Sequence, residues 1–218
     1  MRFAVLGTGN VGATVGRKLV ELGQEVMMGA RQAGNERAVA WAESLGEGAR
    51  QGSFRDAASF AETVVNATAG RWSLDALNAA GSENLDGKVL IDLANPLNFD
   101  AGFPPTLTVV NTDSLGEQIQ HRFPQARVVK TLNTINAAVM VDPSMILEDH
   151  SMFVAGNDAD AKAEVVDLLE TFGWNRQLII DLGDISSARG MEMYLSLWLR
   201  LARALQTGHI NVRVLREG

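Results

Sequence analysis

The sequence of 218 residues contains no cysteine. This absence excludes disulfides, thiolate catalysis and cysteine-based zinc or iron–sulfur sites. The three histidines (His121, His150 and His209) are scattered without metal-ligand spacing, so we predict no metal site. No apolar run reaches the roughly 18 residues of a membrane span. Basic runs are also missing and the net charge is -7, which disfavours nucleic acid and anionic membranes as partners.

A secretory signal is not visible either, because the first predicted strand begins at residue 2 with no charged segment before it. We therefore expect a cytoplasmic protein. Hydrophobic residues make up 46% and charged residues 21% of the chain, which is ordinary for a globular protein. A chain of this length is long enough to bury a sizeable core.

Strand and helix patterns alternate along the chain. Strands are predicted at 2–6, 25–29, 49–54, 63–67, 88–93, 127–132, 152–156 and 178–181. Helices are predicted at 10–22, 35–45, 56–62, 74–80, 113–122, 158–172 and 186–207, with Ser73 and Ser186 as amino-terminal caps. This alternation predicts an α/β fold with a doubly wound, mostly parallel sheet. The proline-containing stretch 95–111 is predicted to be a long irregular loop, of which residues 98–111 are a candidate lid.

The last predicted helix differs from the others because it is apolar on nearly every side between Met191 and Leu205. Such a helix is buried rather than surface-lying. We expect a Rossmann domain over residues 1–150 and a small extension over 151–218 that ends in this long buried helix. Because one terminal helix is hard to cover within so short a chain, we also expect it to pack against a second subunit in a homodimer.

The most informative motif is Gly7-Thr8-Gly9-Asn10-Val11-Gly12, which follows a strand and opens a helix. In that context the motif is typical of dinucleotide binding. Gly7 allows the tight turn, Gly9 lets a pyrophosphate approach the backbone, and Gly12 lets the helix pack closely on the strand. The free amides of the helix amino terminus then face the phosphates. These six residues, Thr8 and Asn10 and Val11 included, are predicted to bind the coenzyme.

The second predicted strand ends in Gly29-Ala30-Arg31, where an enzyme that uses NAD would place a carboxylate on the adenosine ribose. Arg31 instead suits a 2′-phosphate through its planar guanidinium. Thr8 offers a hydroxyl near the same phosphate, and Arg37 is a weaker candidate. The sequence therefore predicts NADP(H), bound in part by Ala30 and Arg31.

Five segments together carry a family resemblance: Gly7–Gly12, Gly29–Arg31, Val89–Leu97, Val128–Ile135 and Phe153–Asp158. They resemble the F420-dependent NADP oxidoreductase family, to which the cytosolic domain of the STEAP metalloreductases is similar. The resemblance implies a compact Rossmann domain with a small carboxyl-terminal addition. It also implies hydride transfer between NADP(H) and a deazaflavin whose ring stacks on the nicotinamide.

The chain departs from the deazaflavin pattern at two places. Residues 67–72 read Ala-Thr-Ala-Gly-Arg-Trp instead of the usual apolar-Pro-Trp, and Asn133 stands where the deazaflavin enzymes have a histidine. The sequence therefore leaves open whether a flavin, a deazaflavin or a similar planar molecule is the acceptor. Two alternatives are a non-catalytic NADP-binding redox sensor and a small carbonyl or imine reductase, for which Lys130 is the nearest proton donor.

Further candidate site residues stand at predicted strand ends. Thr68 and Ala69 are expected to contact the pyrophosphate or the nicotinamide ribose, and Asn95 a ribose or the carboxamide. Asn133 and Thr134 are candidates for orienting the nicotinamide or the acceptor, although Asn95 also suits a turn and the other two suit local backbone hydrogen bonds. Arg71 and Trp72 suit an anionic or planar acceptor, Arg189 is a candidate for reaching the cleft, and no catalytic acid or base is identified. Asp92 and Asp181 have no carboxylate partner in the sequence, so neither is assigned an acid–base role.

Overall fold

The computed structural model describes residues 1–217. In this part of the chain the strands are β1 (Arg2–Leu6), β2 (Glu25–Ala30), β3 (Ala49–Ser53), β4 (Thr63–Asn66), β5 (Val89–Asp92), β6 (Leu97–Asn98), β7 (Thr106–Leu107), β8 (Arg127–Thr131), β9 (Met152–Ala155) and β10 (Ile179–Asp181). The α-helices are α1 (Asn10–Glu21), α2 (Glu36–Leu45), α3 (Phe54–Phe60), α4 (Ser73–Ala80), α5 (Leu115–Arg122), α6 (Ala137–Val141), α7 (Ala159–Thr171) and α8 (Ala188–Leu205). Short 3₁₀ turns connect several of them.

Eight strands form one sheet in the order β10-β9-β8-β5-β4-β1-β2-β3. The six strands from β8 to β3 run parallel, whereas β9 pairs with β8 in antiparallel orientation and β10 runs parallel to β9. The chain moves from β1 to β2 and β3 on one side, then returns to β4 on the other side of β1. This reversal confirms the predicted doubly wound fold, and it opens a crevice at the carboxyl ends of β1 and β4.

Side chains alternate across the central strands and divide the core into two layers. In β1, Phe3 and Val5 join a cluster with α1, α2, α6 and α7, whereas Ala4 and Leu6 join a cluster with α3, α4, α5 and the start of α8. Helices therefore cover both faces of the sheet, and the strand ends stay free for a ligand.

Local structure differs from prediction in the two serine caps. Ser73 is predicted to cap α4 but lies inside it, because its hydroxyl bonds instead to Asn66 at the end of β4 and to Thr68 in the loop that follows. Asp184, not Ser186, caps the turn before α8: its carboxylate accepts from the amide and the hydroxyl of Ser186.

The loop after β5 is also more ordered than predicted, since it contains the antiparallel pair of β6 and β7. Helix α6 is an element that the sequence did not predict; Asn136 caps it, and it contains only five residues. A helix this short does not contain enough residues to show a helical periodicity of apolar side chains.

Helix α8 is buried over its first half only. Met191, Glu192 and Leu195 are buried, whereas Leu197 is 53% and Leu205 61% exposed in this single chain. The single chain therefore covers only the first half of this helix, and burial of the second half against a second subunit stays a prediction. Strands β9 and β10 join the main sheet, and the division of the chain at residue 150 stays a prediction.

Candidate functional site

A cleft of about 860 Å³ opens at the carboxyl ends of β1, β2 and β4. It brings together seven of the residues that the sequence predicted to bind the coenzyme: Gly7, Thr8, Gly9, Ala30, Arg31, Thr68 and Ala69. The structure adds neighbours that the sequence analysis did not assign to it, among them Asn35, Phe54, Asp75 and Ala76. The strand order thus assembles one site from three separate segments.

The turn after β1 depends on its glycines. Gly7 has φ +116°, and a Cβ there would lie 2.6 Å from the carbonyl oxygen of Ala67. A Cβ on Gly12 would lie 2.2 Å from the carbonyl oxygen of Gly7, whereas one on Gly9 would meet no protein atom within 4 Å. Gly7 and Gly12 therefore allow close backbone packing, and Gly9 keeps space open beside the cleft.

The amino terminus of α1 borders this space. Gly9 is its N-cap residue, no side chain caps the helix, and its first turn has no acidic residue. Uncapped amides and the positive end of a helix dipole favour a phosphate or another anion. Asn10 and Val11 belong to this first turn but are not among the residues that line the cleft.

Arg31 directly follows β2, next to the glycine turn; it also lines the cleft and is exposed. Its guanidinium carbon is 5.9 Å from the centre of the Trp72 ring, on which Arg71 also packs at 5.2 Å. Arg71 forms an ion pair of 3.6 Å with Asp100, which ties the loop between β6 and β7 to the segment after β4. Trp72 thus lies beside Arg31, the residue that is predicted to bind the 2′-phosphate.

Thr68 is held by a hydrogen-bonded ring of polar side chains. Its hydroxyl donates to Asn66 Oδ1 at 2.7 Å and lies 2.8 Å from Ser73 Oγ. Asn66 in turn donates through Nδ2 to Ser73 Oγ at 3.1 Å and to Asp92 Oδ1 at 2.8 Å. Because Asn66, Ser73 and Asp92 are buried, this ring fixes the position of Thr68 in the wall of the cleft.

Asp92 continues into a buried ionic cluster with Lys130 and Glu192. Lys130 Nζ is 2.8 Å from Asp92 Oδ2 and 2.9 Å from Glu192 Oε1, and it also donates to the carbonyl oxygen of Ala94. All three side chains are at most 1% exposed. Burial lowers the pKa of the Lys130 ammonium, but the two carboxylates outweigh this effect, so its pKa lies above the ordinary value.

The sequence did not predict this cluster, and it offered Asp92 no carboxylate partner and no acid–base role. A signal was present, because each member interrupts an apolar pattern: Asp92 ends β5, Lys130 follows two valines in β8, and Glu192 lies between two methionines in α8. An ionisable residue in such a position is buried and needs a partner. The sequence does not say which partner, since the three residues come from separate elements. Asp181 likewise has a lysine partner, as Lys162 Nζ lies 2.8 Å from its Oδ1.

Asn95 and Asn133 are brought together, but outside the cleft. Asn133 Nδ2 donates to Asn95 Oδ1 at 2.9 Å and to the carbonyl oxygen of Met191 at 3.1 Å. Asn95 Nδ2 returns a bond of 2.8 Å to the carbonyl oxygen of Asn133. Within residues 1–217, Asn133 Oδ1 and Thr134 Oγ1 are buried and have no hydrogen-bond partner.

Backbone strain accompanies these unpartnered oxygens. The preceding residue, Leu132, is buried and adopts φ +59°, a conformation unusual for a residue other than glycine. Such strain occurs most often at functional positions, so this turn is a candidate part of the site.

Arg189 does not line the cleft. It forms a bidentate ion pair with Glu117 on α5, with N–O distances of 2.8 and 2.5 Å. Hydrogen bonds from Arg189 and from Ser114 hold the pKa of Glu117 below its ordinary value. The pair joins α5 to the start of α8, and it occupies the face of the Arg189 guanidinium that would bind a ligand.

Residues 1–217 contain neither a cluster of metal ligands nor a membrane-spanning helix. No group of three or more histidine, aspartate or glutamate side chains is arranged to hold a metal ion. None of the helices described is long and apolar enough to cross a membrane.

Comparison with known proteins gives several matches. The model of the family described as "NADP oxidoreductase coenzyme F420-dependent" matches residues 2–96. A crystal structure from Arthrobacter sp. FB24, provisionally assigned as an F420-dependent NADP reductase, is 53% identical, covers 99% of this chain and 100% of its own, and has a TM-score of 0.93. The F420-dependent NADP reductase of Methanothermobacter marburgensis is 28% identical over 98% of both chains.

More distant structures share the fold. An imine reductase from Streptomyces aurantiacus is 19% identical with a TM-score of 0.66, and 94% of this chain matches 64% of the reductase. At this identity the likeness concerns architecture alone. The match to the Arthrobacter protein extends over the whole length of both chains and agrees with the family model. The chain therefore belongs to the F420-dependent NADP oxidoreductase family and is an NADP-dependent oxidoreductase.

Proposed function

We propose that this enzyme transfers a hydride between NADP(H) and a planar acceptor of the deazaflavin or flavin type. The observation that carries the proposal is the cleft, which the glycine turn and Arg31 line together. The relatives named as F420-dependent NADP reductases match the whole chain, which favours a deazaflavin among the planar acceptors. When bound, the coenzyme supplies the hydride at its nicotinamide ring.

The residues of the cleft suit NADP(H) in detail. We infer that the amides of Gly9, Asn10 and Val11 bind the pyrophosphate, because the amino terminus of α1 has no side-chain cap. Arg31 and Thr8 would bind the 2′-phosphate, and the wall formed by Ala30 would lie against the adenosine. The absence of a Cβ at Gly9 leaves the space that this placement needs. Thr68 and Ala69 would contact the pyrophosphate or the second ribose.

The nicotinamide half would then extend over the ends of β4, β5 and β8, away from Arg31. Asn95 and Asn133 stand at this side, after β5 and β8. The unpartnered oxygens of Asn133 and Thr134 are acceptors that an amide donor of a ligand would satisfy. We infer that this turn orients the nicotinamide carboxamide or the acceptor ring.

The burial of Lys130 and the pairing of all its N–H groups disfavour the reduction of a ketone or an imine. That reaction needs a proton donor near the nicotinamide, and Lys130 was the nearest candidate in the sequence. Its ammonium is buried, and its three N–H bonds go to Asp92, Glu192 and Ala94. Hydride transfer between two rings needs no such donor, since it depends mainly on holding the two carbons close in a dry pocket.

The acceptor is tested by following NADPH oxidation optically with coenzyme F420, riboflavin, FMN and ferric chelates. We expect turnover with the deazaflavin, and slower turnover or none with the ferric chelates. Turnover with a cyclic imine or ketone but with no planar acceptor would contradict the proposal. Tight NADPH binding without turnover on any acceptor would instead favour a redox sensor.

We also propose that the enzyme is a homodimer that buries the second half of α8. Leu197 and Leu205 are more than half exposed in the single chain, and Phe103 in the neighbouring loop is 58% exposed. An apolar surface of this kind is typical of a contact between subunits. Light scattering should give twice the mass of the chain, and Leu197→Glu should shift it to the monomer. A strict monomer at micromolar concentration would contradict this proposal.

A further inference from the structure

We propose that the buried cluster of Asp92, Lys130 and Glu192 carries a net negative charge, and that this charge strengthens the binding of NADP⁺ relative to the binding of NADPH. Glu192 supplies the excess charge and is thereby a specificity-determining residue for the redox state of the coenzyme. The inference rests on the coenzyme placement proposed above, but not on the identity of the acceptor.

Hydrogen bonding establishes the charge of each group. Lys130 Nζ has three acceptors, so all three protons of an ammonium are used. Asp92 Oδ1 accepts from Asn66 Nδ2 at 2.8 Å and from the amide of Ala94 at 3.2 Å, and Oδ2 accepts from Lys130. A proton on Asp92 would therefore face only donors, which makes this group a carboxylate.

The same argument applies to Glu192. Its Oε1 accepts from Lys130 and from the amide of Gly116 at 3.0 Å, and its Oε2 accepts from the amide of Leu115 at 2.9 Å. Two carboxylates and one ammonium leave a net charge of minus one. The amino terminus of α5, which supplies the two amides, offsets roughly half a charge. The cluster therefore remains negative in a region from which water is excluded.

The position of the cluster follows from the strand order. Asp92 ends β5 and Lys130 lies near the end of β8, on the side of β1 opposite to β2 and Arg31. Ala94, which bonds to both of them, directly precedes Asn95. Through Asn66, Asp92 is two hydrogen bonds from Thr68 in the wall of the cleft. The excess charge thus lies beneath the half of the site assigned to the nicotinamide.

Oxidised and reduced coenzyme differ in the charge of the nicotinamide ring, which is positive only in NADP⁺. For a separation of about 10 Å and an effective dielectric of about 20, half to one negative charge favours the positive ring by about three- to tenfold. A purely structural role would act on both forms alike, because they share every other group. The ratio of the two dissociation constants therefore separates charge from structure.

The test measures the Kd of NADP⁺ and of NADPH by calorimetry on the purified full chain. Glu192→Gln should raise the ratio of Kd for NADP⁺ to Kd for NADPH about three- to tenfold. Asp92→Asn removes the same charge from another element and should shift the ratio in the same direction. Having both variants keeps the test usable if one of them fails to fold, which circular dichroism would reveal.

Two matched controls complete the design. Ser73→Ala breaks the network around Thr68 without changing any charge, so both Kd values should move by one common factor. Glu62→Gln removes an equal charge at the other end of the sheet, beside Arg2, and should leave the ratio within twofold. The inference is overturned if the folded Glu192 and Asp92 variants keep the wild-type ratio or weaken both forms equally.

Failure of the proposed function has a different signature. If the coenzyme does not bind in the cleft, Arg31→Ala will leave the affinity for NADPH unchanged. If Arg31→Ala changes the affinity for NADPH but Glu192→Gln leaves the ratio of the Kd for NADP⁺ to the Kd for NADPH unchanged, the coenzyme site is supported. The proposed role of the buried cluster is then wrong.

Discussion

Two polar regions lie at the carboxyl end of the same parallel sheet, and they are built in opposite ways. The cleft beside β1 and β2 is open: Arg31 is exposed, Gly9 leaves free space, and the amino terminus of α1 has no side-chain cap. The region beneath β5 and β8 is closed, and the polar groups of Asp92 and Lys130 are paired inside the protein. The polar groups of the first region are free to form hydrogen bonds with a ligand. Those of the second region bond to one another and hold the wall of the cleft in place.

The largest expected effect concerns the closed region. Lys130→Met would leave the carboxylates of Asp92 and Glu192 buried without a cation, which costs about 3–5 kcal/mol of unfolding free energy. Urea denaturation followed by circular dichroism measures this loss. Lys162→Met is the matched control, because Lys162 pairs with the half-exposed Asp181 and its loss should cost at most about 1 kcal/mol. Equal losses in the two variants would remove the contrast between the regions.

Gly9→Ala tests the open region without disturbing the fold. The added methyl group meets no protein atom within 4 Å, so the free energy of unfolding should barely change. It would occupy the space that the pyrophosphate needs, and the Kd of NADPH should rise about ten- to a hundredfold. Calorimetry measures the Kd. Gly190→Ala, whose methyl group is equally unobstructed, should leave the Kd unchanged; an unchanged Kd for Gly9→Ala itself would place the phosphates elsewhere.

Arg31→Ala should raise the Kd of NADPH about tenfold and reduce the preference over NADH, because one charge-assisted contact to the 2′-phosphate is lost. The Kd of NADH itself should change little. Arg50→Ala serves as the control, since Arg50 is an exposed arginine paired with Glu25 outside the cleft. If the Kd values of NADPH and NADH rise by the same factor, Arg31 does not bind the 2′-phosphate.

The smallest expected effect depends on pH. Arg189→Gln removes the partner that lowers the pKa of Glu117, a partly exposed pair worth less than about 1 kcal/mol after screening. A lowered carboxyl pKa stabilises the fold above the ordinary value of 4.5, and this contribution disappears as the pH falls through the lowered pKa. Wild type should therefore be more stable than the variant at pH 7, and the difference should shrink as the pH is lowered below 4.5. A difference that is constant across this range would assign the effect to packing.

The contrast between the regions also explains what could be predicted from the sequence. The open cleft is encoded in contiguous residues: Gly7 to Gly12 form the turn after β1 and the start of α1, and Arg31 directly follows β2. Alternating strand and helix patterns then place these segments side by side, so the fold and one end of the site follow from local signals. The closed region joins residues 92, 130 and 192, whose pairing depends on tertiary packing alone.

Ser73 shows how the closed region overrides a local preference. A serine before an apolar run is a good helix cap, and this preference favours a cap at that position. In the structure its hydroxyl bonds to Asn66 and Thr68, and α4 begins at Ser73 itself. Long-range bonding of this kind has no signature in the spacing of residues.

The most direct test of the account is a crystal structure of the protein with NADP⁺. We predict the 2′-phosphate on Arg31, the pyrophosphate over Gly9 at the amino terminus of α1, and the nicotinamide over the ends of β4 and β5. A coenzyme bound with its phosphates away from the glycine turn would contradict the central claim, whatever the acceptor proves to be.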